Sequence, residues 1–427
     1  MKKAAICILG CRVNQSEGES FLEYFKNNDY QIVDFKEKAD VYLIHTCTVT
    51  SQADSKSRQM IRKAKKTNNE AKVVVTGCYA QTEPGVLQNM PEVDLIIGMK
   101  DRDNIIKLLE ENETEKVHIF DIRKIKDFEN MITSNTDKTR AFIKIQEGCE
   151  SFCSYCIIPI ARGRIRSRAI SDIIEEIAVL EEQGYQEIVL TGIHAGAYGL
   201  DLGLELSQLM AEITAKTTIP RVRFGSLDPN EISESFLKEF SNQRFMPHIH
   251  LALQSGDDEI LRIMNRKYDC EQYLATIEKL RLVKGELLSI TTDIMVGFPY
   301  EKEEHHKRSM EFIRRCQLDN LHIFQYSKRK GTRAAKFPEQ VESDIKKIRA
   351  REMEELKKEL HLDFQKKMLD QNLSVLIEKS NNNEAVGYSD NYLKVKIENK
   401  TGKILENNIY SVKIVEIQKN MLIGELV

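Results

Sequence analysis

The chain has 427 residues, 41% hydrophobic and 30% charged, which fits a globular protein of two or three domains and excludes a disordered or fibrous one. A formal charge of −3 excludes a global basic field for nucleic acid, so any RNA contact has to come from local patches. No stretch approaches the roughly 20 apolar residues of a membrane helix, and the opening Met-Lys-Lys-Ala-Ala-Ile-Cys-Ile-Leu-Gly, followed at once by Arg12 and Asn14, reads as the first β-strand of a cytoplasmic protein rather than a signal peptide.

Residues 1–112 alternate short apolar runs with polar, helix-like stretches. Strands are expected at 3–9, 41–45, 72–76 and 94–97, with helices near 16–27, 52–66, 82–89 and 101–112. Such alternation predicts a parallel sheet covered on both faces, and ligands of such sheets bind beyond the carboxyl ends of the strands. Residues 113–138, polar and irregular, read as a linker. A second βα series starts at 141–145, with further strands at 187–191, 220–225, 248–253, 288–294 and 321–325. Six βα units close only part of an eight-unit barrel, and the open side suits a macromolecular substrate. The run from 339 to about 370 reads as a long charged amphipathic helix. From 372 onward, short alternating strands separated by turn signals (Asn-Asn-Asn, Ser-Asp-Asn, Thr-Gly-Lys) predict a small β-barrel.

The chemistry concentrates in cysteine. Nine are present, which in a chain of this type argues for metal or redox chemistry over disulfides. Cys149, Cys153 and Cys156 form a C-x3-C-x2-C triplet in the loop after the strand at 141–145. Zinc would want a fourth protein ligand nearby, and the following Ile-Ile-Pro-Ile-Ala-Arg-Gly supplies none. Three thiolates suit a four-iron cubane whose fourth iron stays open to a small molecule. Cys11, Cys47 and Cys78 each lie just past a strand of the N-terminal sheet, after Gly10, Thr46 and Gly77. Three loops at one sheet edge can converge on one point. Cys7, Cys270 and Cys316 read as buried small hydrophobes.

A C-x3-C-x2-C triplet after a first barrel strand resembles the radical SAM superfamily. The second cysteine trio and the small C-terminal barrel narrow the resemblance to the methylthiotransferases, over essentially the whole chain. Leu-Gly-Cys-Arg-Val-Asn, Thr-Cys-Thr-Val-Thr, Val-Thr-Gly-Cys-Tyr-Ala-Gln, Ile-Gln-Glu-Gly-Cys, Ala-Arg-Gly-Arg-Ile-Arg-Ser-Arg and Tyr-Ser-Lys-Arg-Lys-Gly-Thr resemble the branch that acts on N6-threonylcarbamoyladenosine. The architecture so implied is α/β: an N-terminal parallel α/β sandwich over 1–113, a central partial (β/α)6 radical SAM barrel over 135–365, and a small all-β TRAM-like barrel over 368–427.

The resemblance implies two [4Fe-4S] clusters and S-adenosyl-L-methionine (SAM) as cofactors. Cys149, Cys153 and Cys156 would hold the radical-generating cluster, and Cys11, Cys47 and Cys78 an auxiliary one that passes sulfur. One SAM would methylate the sulfur, and a second would yield the radical that removes hydrogen from carbon 2 of the adenine. The implied partners are tRNA, at adenosine 37 of the anticodon loop, and an electron donor such as a flavodoxin or ferredoxin. Two departures from the family pattern stand out. His45 replaces the usual Asn before Thr-Cys, and Gly297-Phe298-Pro299-Tyr300-Glu301-Lys302 replaces Gly-Phe-Pro-Gly-Glu-Thr.

The resemblance implies that Asp293 to Pro299, Asp293 and Gly297 among them, lie near SAM. Weaker candidates rest on position: Thr191, Gly192, Ser226, Gln254 and Ser255, just after strands, are candidates for the SAM pocket, where glycine allows close backbone approach. Arg162, Arg164, Arg166 and Arg168 share one side if their segment is extended, and would meet the SAM carboxylate or tRNA phosphates; a solvated salt-bridge strand is the alternative. Lys56, Arg58, Arg62, Lys63, Lys65 and Lys66 form a basic helix face, for RNA or simply for solvent. From Asn372 onward seven Lys balance one Asp and six Glu, so RNA binding there rests on the resemblance and on Tyr388, Tyr392 and Tyr410 as exposed stacking aromatics. Competing readings are a methylthiotransferase for N6-isopentenyladenosine or a ribosomal-protein aspartate, and a non-catalytic iron–sulfur RNA-binding sensor.

Overall fold

The computed structural model describes residues 1–110, 115–129, 139–399 and 404–427. The Thr-Gly-Lys turn, the two polar ends of the expected linker, and residues 113 and 135 lie wholly or mainly outside them.

The first unit is a six-stranded parallel sheet in the order β2-β1-β3-β4-β5-β6. Its strands are β1 (Lys2–Ile8), β2 (Tyr30–Ile32), β3 (Val41–Thr46), β4 (Lys72–Gly77), β5 (Leu95–Ile97) and β6 (Val117–His118). Alternate residues of the central strands feed different cores: Tyr42, Ile44, Val73 and Val75 pack on one face, and Val41, Leu43 and Val74 on the other. That two-sided burial is what a helix-covered parallel sheet requires. Helix α1 (Arg12–Asn27) follows β1, α2 (Ser51–Thr67) follows β3, and α3 (Cys78–Thr82) follows β4. The expected linker is not wholly irregular: it supplies β6 as an edge strand, and Glu129 forms an ion pair with the buried Arg102.

The central unit carries β7 (Arg140–Glu147), β8 (Arg166–Ser167), β9 (Glu187–Gly192), β10 (Arg221–Phe224), β11 (Ser226–Leu227), β12 (His248–Leu251), β13 (Ser289–Val296) and β14 (Asn320–Gln325). Two sheets, β10-β9-β7-β8 and β11-β12-β13-β14, follow one another where β10 runs into β11 across Gly225. All pairings are parallel except that of the two-residue β8. The outcome is an open six-stranded barrel with helices outside. Ile143, Ile145, Ile188, Leu190, Val222, Phe224 and Ile249 point to the helices and form the main core. The alternating positions are polar (Lys144, Gln146, Glu187, Thr191, Arg221, Arg223, His248, His250) and by strand alternation line the lumen.

The helix Ser343–Lys366 places Met353, Leu356 and Leu360 in the main core and Phe364 in the next one. It leads into a closed five-stranded barrel, β15 (Asn372–Ser380), β16 (Glu384–Ser389), β17 (Lys394–Glu398), β18 (Ile409–Gln418) and β19 (Met421–Leu426), in the order β15-β16-β17-β19-β18. No helix among the described residues is long and apolar enough to cross a membrane.

Candidate metal and substrate site

The N-terminal trio sits where three strands end. Cys11 is the N-cap of α1, Cys47 follows β3, and Cys78 opens α3. Two glycines make the convergence sterically feasible. Gly10 (φ 110°) and Gly77 (φ 99°) lie in the left-handed half of conformational space, and a Cβ at either would stand 2.7 Å from Cys47 Cβ or 2.5 Å from the Thr46 carbonyl. Cys11 is exposed, while Cys47 and Cys78 are buried. Burial pushes the Cys78 thiol up to about 12 against the opposing charge of Arg162, and a metal held there would release its proton.

The second trio follows β7. Cys149 Sγ lies 3.6 Å from His194 Nδ1 and 3.4 Å from Ser151 Oγ. Burial raises this thiol, but the His194 and Ser151 hydrogen bonds outweigh it and leave it below the usual thiol range. His194 is itself held by Glu231 at 2.5 Å. Cys153 Sγ accepts from Arg266 Nη1 at 3.3 Å, and Arg266 is anchored by Asp228 at 2.5 Å. Burial lifts the Cys156 thiol to about 12.

Between the trios lies a buried charge cluster centred on Glu17 of α1. Lys144 Nζ stands 2.7 Å from Glu17 Oε1, Arg102 Nη1 3.0 Å and Arg162 Nη1 3.1 Å, while His45 Nε2 meets Oε2 at 3.0 Å. Burial alone would raise the Glu17 carboxyl; Arg102, Arg162, Lys144 and the His45 hydrogen bond hold it well below the usual carboxylate range. Arg162 also meets Glu147 at 2.5 Å, donates to Asn14 Oδ1 at 2.6 Å, and points Nε at Cys78 Sγ, 3.2 Å away. One fully buried guanidinium thus joins the loop after Cys156 to the Cys78 ligand loop. On a second side, Arg329 Nη2 bonds Asp54 and Thr48, each at 2.6 Å, tying the segment after Cys47 to the loop after β14.

These placements correct the reading of the arginine run. The segment is not one extended strand: a short helix, Ile158–Arg162, ends at Gly163, and β8 follows. Arg162 and Arg166 turn inward, Arg166 Nη1 donating to the Arg162 and Arg164 carbonyls at 3.1 and 3.3 Å. Arg168 is buried against Glu176. These three are buried and bonded within the chain; only Arg164 is exposed, lining a cavity of ≈ 300 Å³ with Cys149, Cys153 and Cys156.

A second cavity, ≈ 220 Å³, has Cys156 and Tyr155 on one wall and Val49 and Thr50, just past Cys47, on another; Gln254, Asp293, Met295 and Phe324 are among its other lining residues. Of the seven SAM-pocket candidates, Gln254 and Asp293 therefore share a cavity with a cysteine. Thr191 and Gly192 sit opposite Lys144 and Gln146 in the β7–β9 register, and Ser226 opposite His250. Ser255 is buried beside Gly256, whose amide Ser309 holds. Gly297 faces Lys346 and donates to Glu301 (2.8 Å), and it lines neither cavity. Tyr300 takes φ 69°, a conformation glycine adopts without strain, so the departure from the family's glycine leaves the turn's shape intact at a cost of about 1–2 kcal/mol.

The tyrosines expected to be exposed are not. Tyr388 and Tyr392 stack on each other (5.1 Å), Tyr392 stacks on His248 (4.6 Å), and the Arg140 and Arg223 guanidinia lie 4.9 Å from Tyr388 and 4.8 Å from Tyr392. Tyr410 accepts from the Leu405 amide. Aromatic faces packed against arginine cannot also stack on bases, and here they dock the small barrel under the large one. On α2, Lys56, Arg62, Lys63 and Lys66 are exposed, whereas Arg58 donates to Tyr79 and Lys65 pairs Asp94. Cys270 and Cys316 are buried, and Cys7 is partly so.

Sequence reasoning named Asp293 but missed the histidines around it. His250 Nε2 lies 3.3 Å from Asp293 Oδ1 and Nδ1 2.9 Å from Thr291 Oγ1; the His250 and His322 rings are 5.2 Å apart. Burial pushes Asp293 up, but the His250 hydrogen bond with the nearby His322 and Arg12 prevails and leaves it below the usual carboxylate range. The signal was the His-x-His of β12, two polar residues on one face of a strand.

The donor set fits thiolate-bound iron: each trio offers three sulfurs, and Arg162 and Arg266 supply N–H donors to two of them, as cluster sulfurs accept. Among the described residues no three His, Cys, Asp or Glu groups converge on one metal-ion position. A cubane spreads its thiolates over separate irons and requires no such convergence.

Comparison with known proteins agrees. Residues 3–98 match the family described as Uncharacterized protein family UPF0004, and residues 143–313 the Radical SAM superfamily. The chain is 37% identical to the "Threonylcarbamoyladenosine tRNA methylthiotransferase MtaB" of Bacillus subtilis (strain 168), over 96% of this chain and 94% of that protein. The Aquifex aeolicus (strain VF5) protein of the same name is 37% identical over 93% and 97%. The "tRNA-2-methylthio-N(6)-dimethylallyladenosine synthase" of Desulfitobacterium hafniense (strain Y51) is 33% identical over 92% and 90%. The radical S-adenosylmethionine methyltransferase TsrM from Kitasatospora setae shares the fold at 14% identity, with a TM-score of 0.57 over 76% of this chain and 75% of that one. A radical SAM domain of this kind takes SAM and a [4Fe-4S] cluster, and with near full-length identity above 30% to named methylthiotransferases, the chain belongs to the radical SAM methylthiotransferase family of transferases.

Proposed function

We propose that this enzyme installs a methylthio group on carbon 2 of N6-threonylcarbamoyladenosine at position 37 of tRNA. One observation supports the reading: a single cavity has Cys156 of the second trio on one wall and Val49 and Thr50, two and three residues past Cys47, on another. The names of the Bacillus subtilis and Aquifex aeolicus relatives support the same substrate. In this reading Cys149, Cys153 and Cys156 hold the SAM-binding cluster, and Cys11, Cys47 and Cys78 a second, auxiliary [4Fe-4S] cluster. When bound, these groups supply the electron, the carbon radical, the methyl group and the sulfur.

The chain's own residues bind and orient. Gln254 and Asp293 face SAM, with Thr191, Gly192 and Ser226 at neighbouring strand ends. The Glu17 cluster holds the two ligand loops in fixed relation across the domain boundary. Arg164 meets tRNA phosphate, and the C-terminal barrel acts as a TRAM-like RNA-binding domain. An anticodon-loop adenosine unstacks at modest cost and so can enter the open barrel. A flavodoxin or ferredoxin class of donor supplies electrons.

The test is mass spectrometry of tRNA nucleosides from cells lacking the gene. Loss of 2-methylthio-N6-threonylcarbamoyladenosine is expected. Unchanged levels in a strain without a paralogue would refute the assignment. Loss of the dimethylallyl counterpart instead would favour the second reading, which the 33% identical Desulfitobacterium hafniense relative supports.

A further inference from the structure

Arg12 is an unspent cation at the junction of the two domains. It opens α1 directly after Cys11 and is half-buried. Among the described residues it has no ion-pair or hydrogen-bond partner; its one recorded contact is the Tyr392 ring, 5.9 Å from the guanidinium carbon. Every other arginine gathered at that ring is spent: Arg140 and Arg223 share Glu187 at 2.8 and 2.9 Å. Arg12 therefore reaches the lumen wall through Tyr392, which stacks on His248 of β12 at 4.6 Å, and has no carboxylate paired to it directly. Its charge reaches Asp293 and His322, and Asp293 lines the cavity that also contains Cys156. His322 is exposed, and its ring meets that of His250 edge-on at 5.2 Å.

A half-buried guanidinium without a counter-ion is costly unless an anion arrives. The two side groups at issue differ in that respect. A threonylcarbamoyl group ends in a free carboxylate, whereas an isopentenyl group is an apolar five-carbon branch. We propose that Arg12 reads the carboxylate of the threonyl group on the target adenosine and so sets which hypermodified tRNA the enzyme accepts. The proposal rests on the tRNA methylthiotransferase reading and assigns its side-group selectivity to one residue. Guanidinium is suited to the task because its fork meets a carboxylate in two parallel hydrogen bonds.

The test uses the iron-loaded full chain and three anticodon stem-loops: one with N6-threonylcarbamoyladenosine at position 37, one with the same nucleoside esterified at its threonyl carboxylate, and one with plain adenosine. Loss of a charge-assisted bidentate pair is worth about 10- to 100-fold in Kd. Arg12→Gln is expected to weaken the threonylcarbamoyl stem-loop by that factor, leave the plain one unchanged and keep the iron content. Arg12→Lys should recover part of the loss. With the wild-type chain, which needs no variant to fold, the ester should bind as weakly as plain adenosine. Equal affinity of acid and ester, or an equal loss for all stem-loops in Arg12→Gln, would overturn the proposal and leave the methylthiotransferase reading standing. A wild-type chain that methylthiolates only isopentenyl substrates would overturn the threonylcarbamoyladenosine assignment, and the proposal with it.

Discussion

Arg162→Met removes the guanidinium that joins the two cysteine loops. Arg162 is fully buried and bonds Glu147 at 2.5 Å, Glu17 at 3.0 and 3.1 Å, Asn14 at 2.6 Å and Cys78 Sγ at 3.2 Å. Breaking a buried ion pair by deleting one partner costs about 3–5 kcal/mol, because the other charge stays buried and unpaired. Here Glu17 keeps Lys144 and Arg102, and Glu147 keeps Lys144, so the cost belongs at the lower end, about 3 kcal/mol. For domains of this size that corresponds to a fall in Tm of about 6–12 °C. The assay is thermal unfolding of the iron-free chain by circular dichroism. If uncompensated charge is the cause, adding Glu17→Gln to Arg162→Met should recover part of the loss. Arg162→Lys should stay impaired, since an ammonium cannot meet two carboxylates, an amide and a thiol at once. A single variant within 2 °C of wild type, or a double variant less stable than the sum of the singles, would refute the charge-cluster reasoning.

Cys47→Ala should lower iron from about eight to about four per chain while the chain still releases 5′-deoxyadenosine from SAM under reduction; complete loss of iron would mean the trios are not independent. Glu187→Gln leaves Arg140, Arg221 and Arg223 without their shared carboxylate, so limited proteolysis should cut faster near the start of β15, and an unchanged digest would count against this docking. Burial pushes the Asp319 carboxyl up to about 8, whereas the unfolded chain releases that proton near pH 4. The folded state thus binds more protons between these values, and stability from this group falls as pH rises from about 4 to about 8. Urea midpoints of wild type and Asp319→Asn at pH 6 and pH 8.5 check this: the variant should show the smaller fall, and parallel lines would refute it.

The strands and the six cysteine positions were legible because each rests on a local signal: a short apolar run, a Gly or Thr before Cys, a three-then-two spacing. The edge strands β2 and β6, three and two residues long, carry too little pattern to separate from loop. The arginine run misled for a different reason. Alternation says which residues share a side only if the segment is extended, and Gly163 breaks this one into a helix and a strand fragment, turning three of four charges inward. Tyr388 and Tyr392 likewise look like stacking aromatics in a one-dimensional chain. Their arginine partners, Arg140 and Arg223, lie more than 160 positions away.

By itself the sequence determined where the thiols stand and the order of the strands and helices, since cysteine spacing and hydrophobic period are properties of neighbours along the chain. Tertiary structure alone decided which charges are spent and which are free. Arg162 and Arg12 are the same residue type, and both stand by cysteines of the N-terminal trio, Cys78 and Cys11. One is neutralised by Glu17 and Glu147, brought in from two domains, and the other has no such partner, because burial and pairing depend on what folding places alongside.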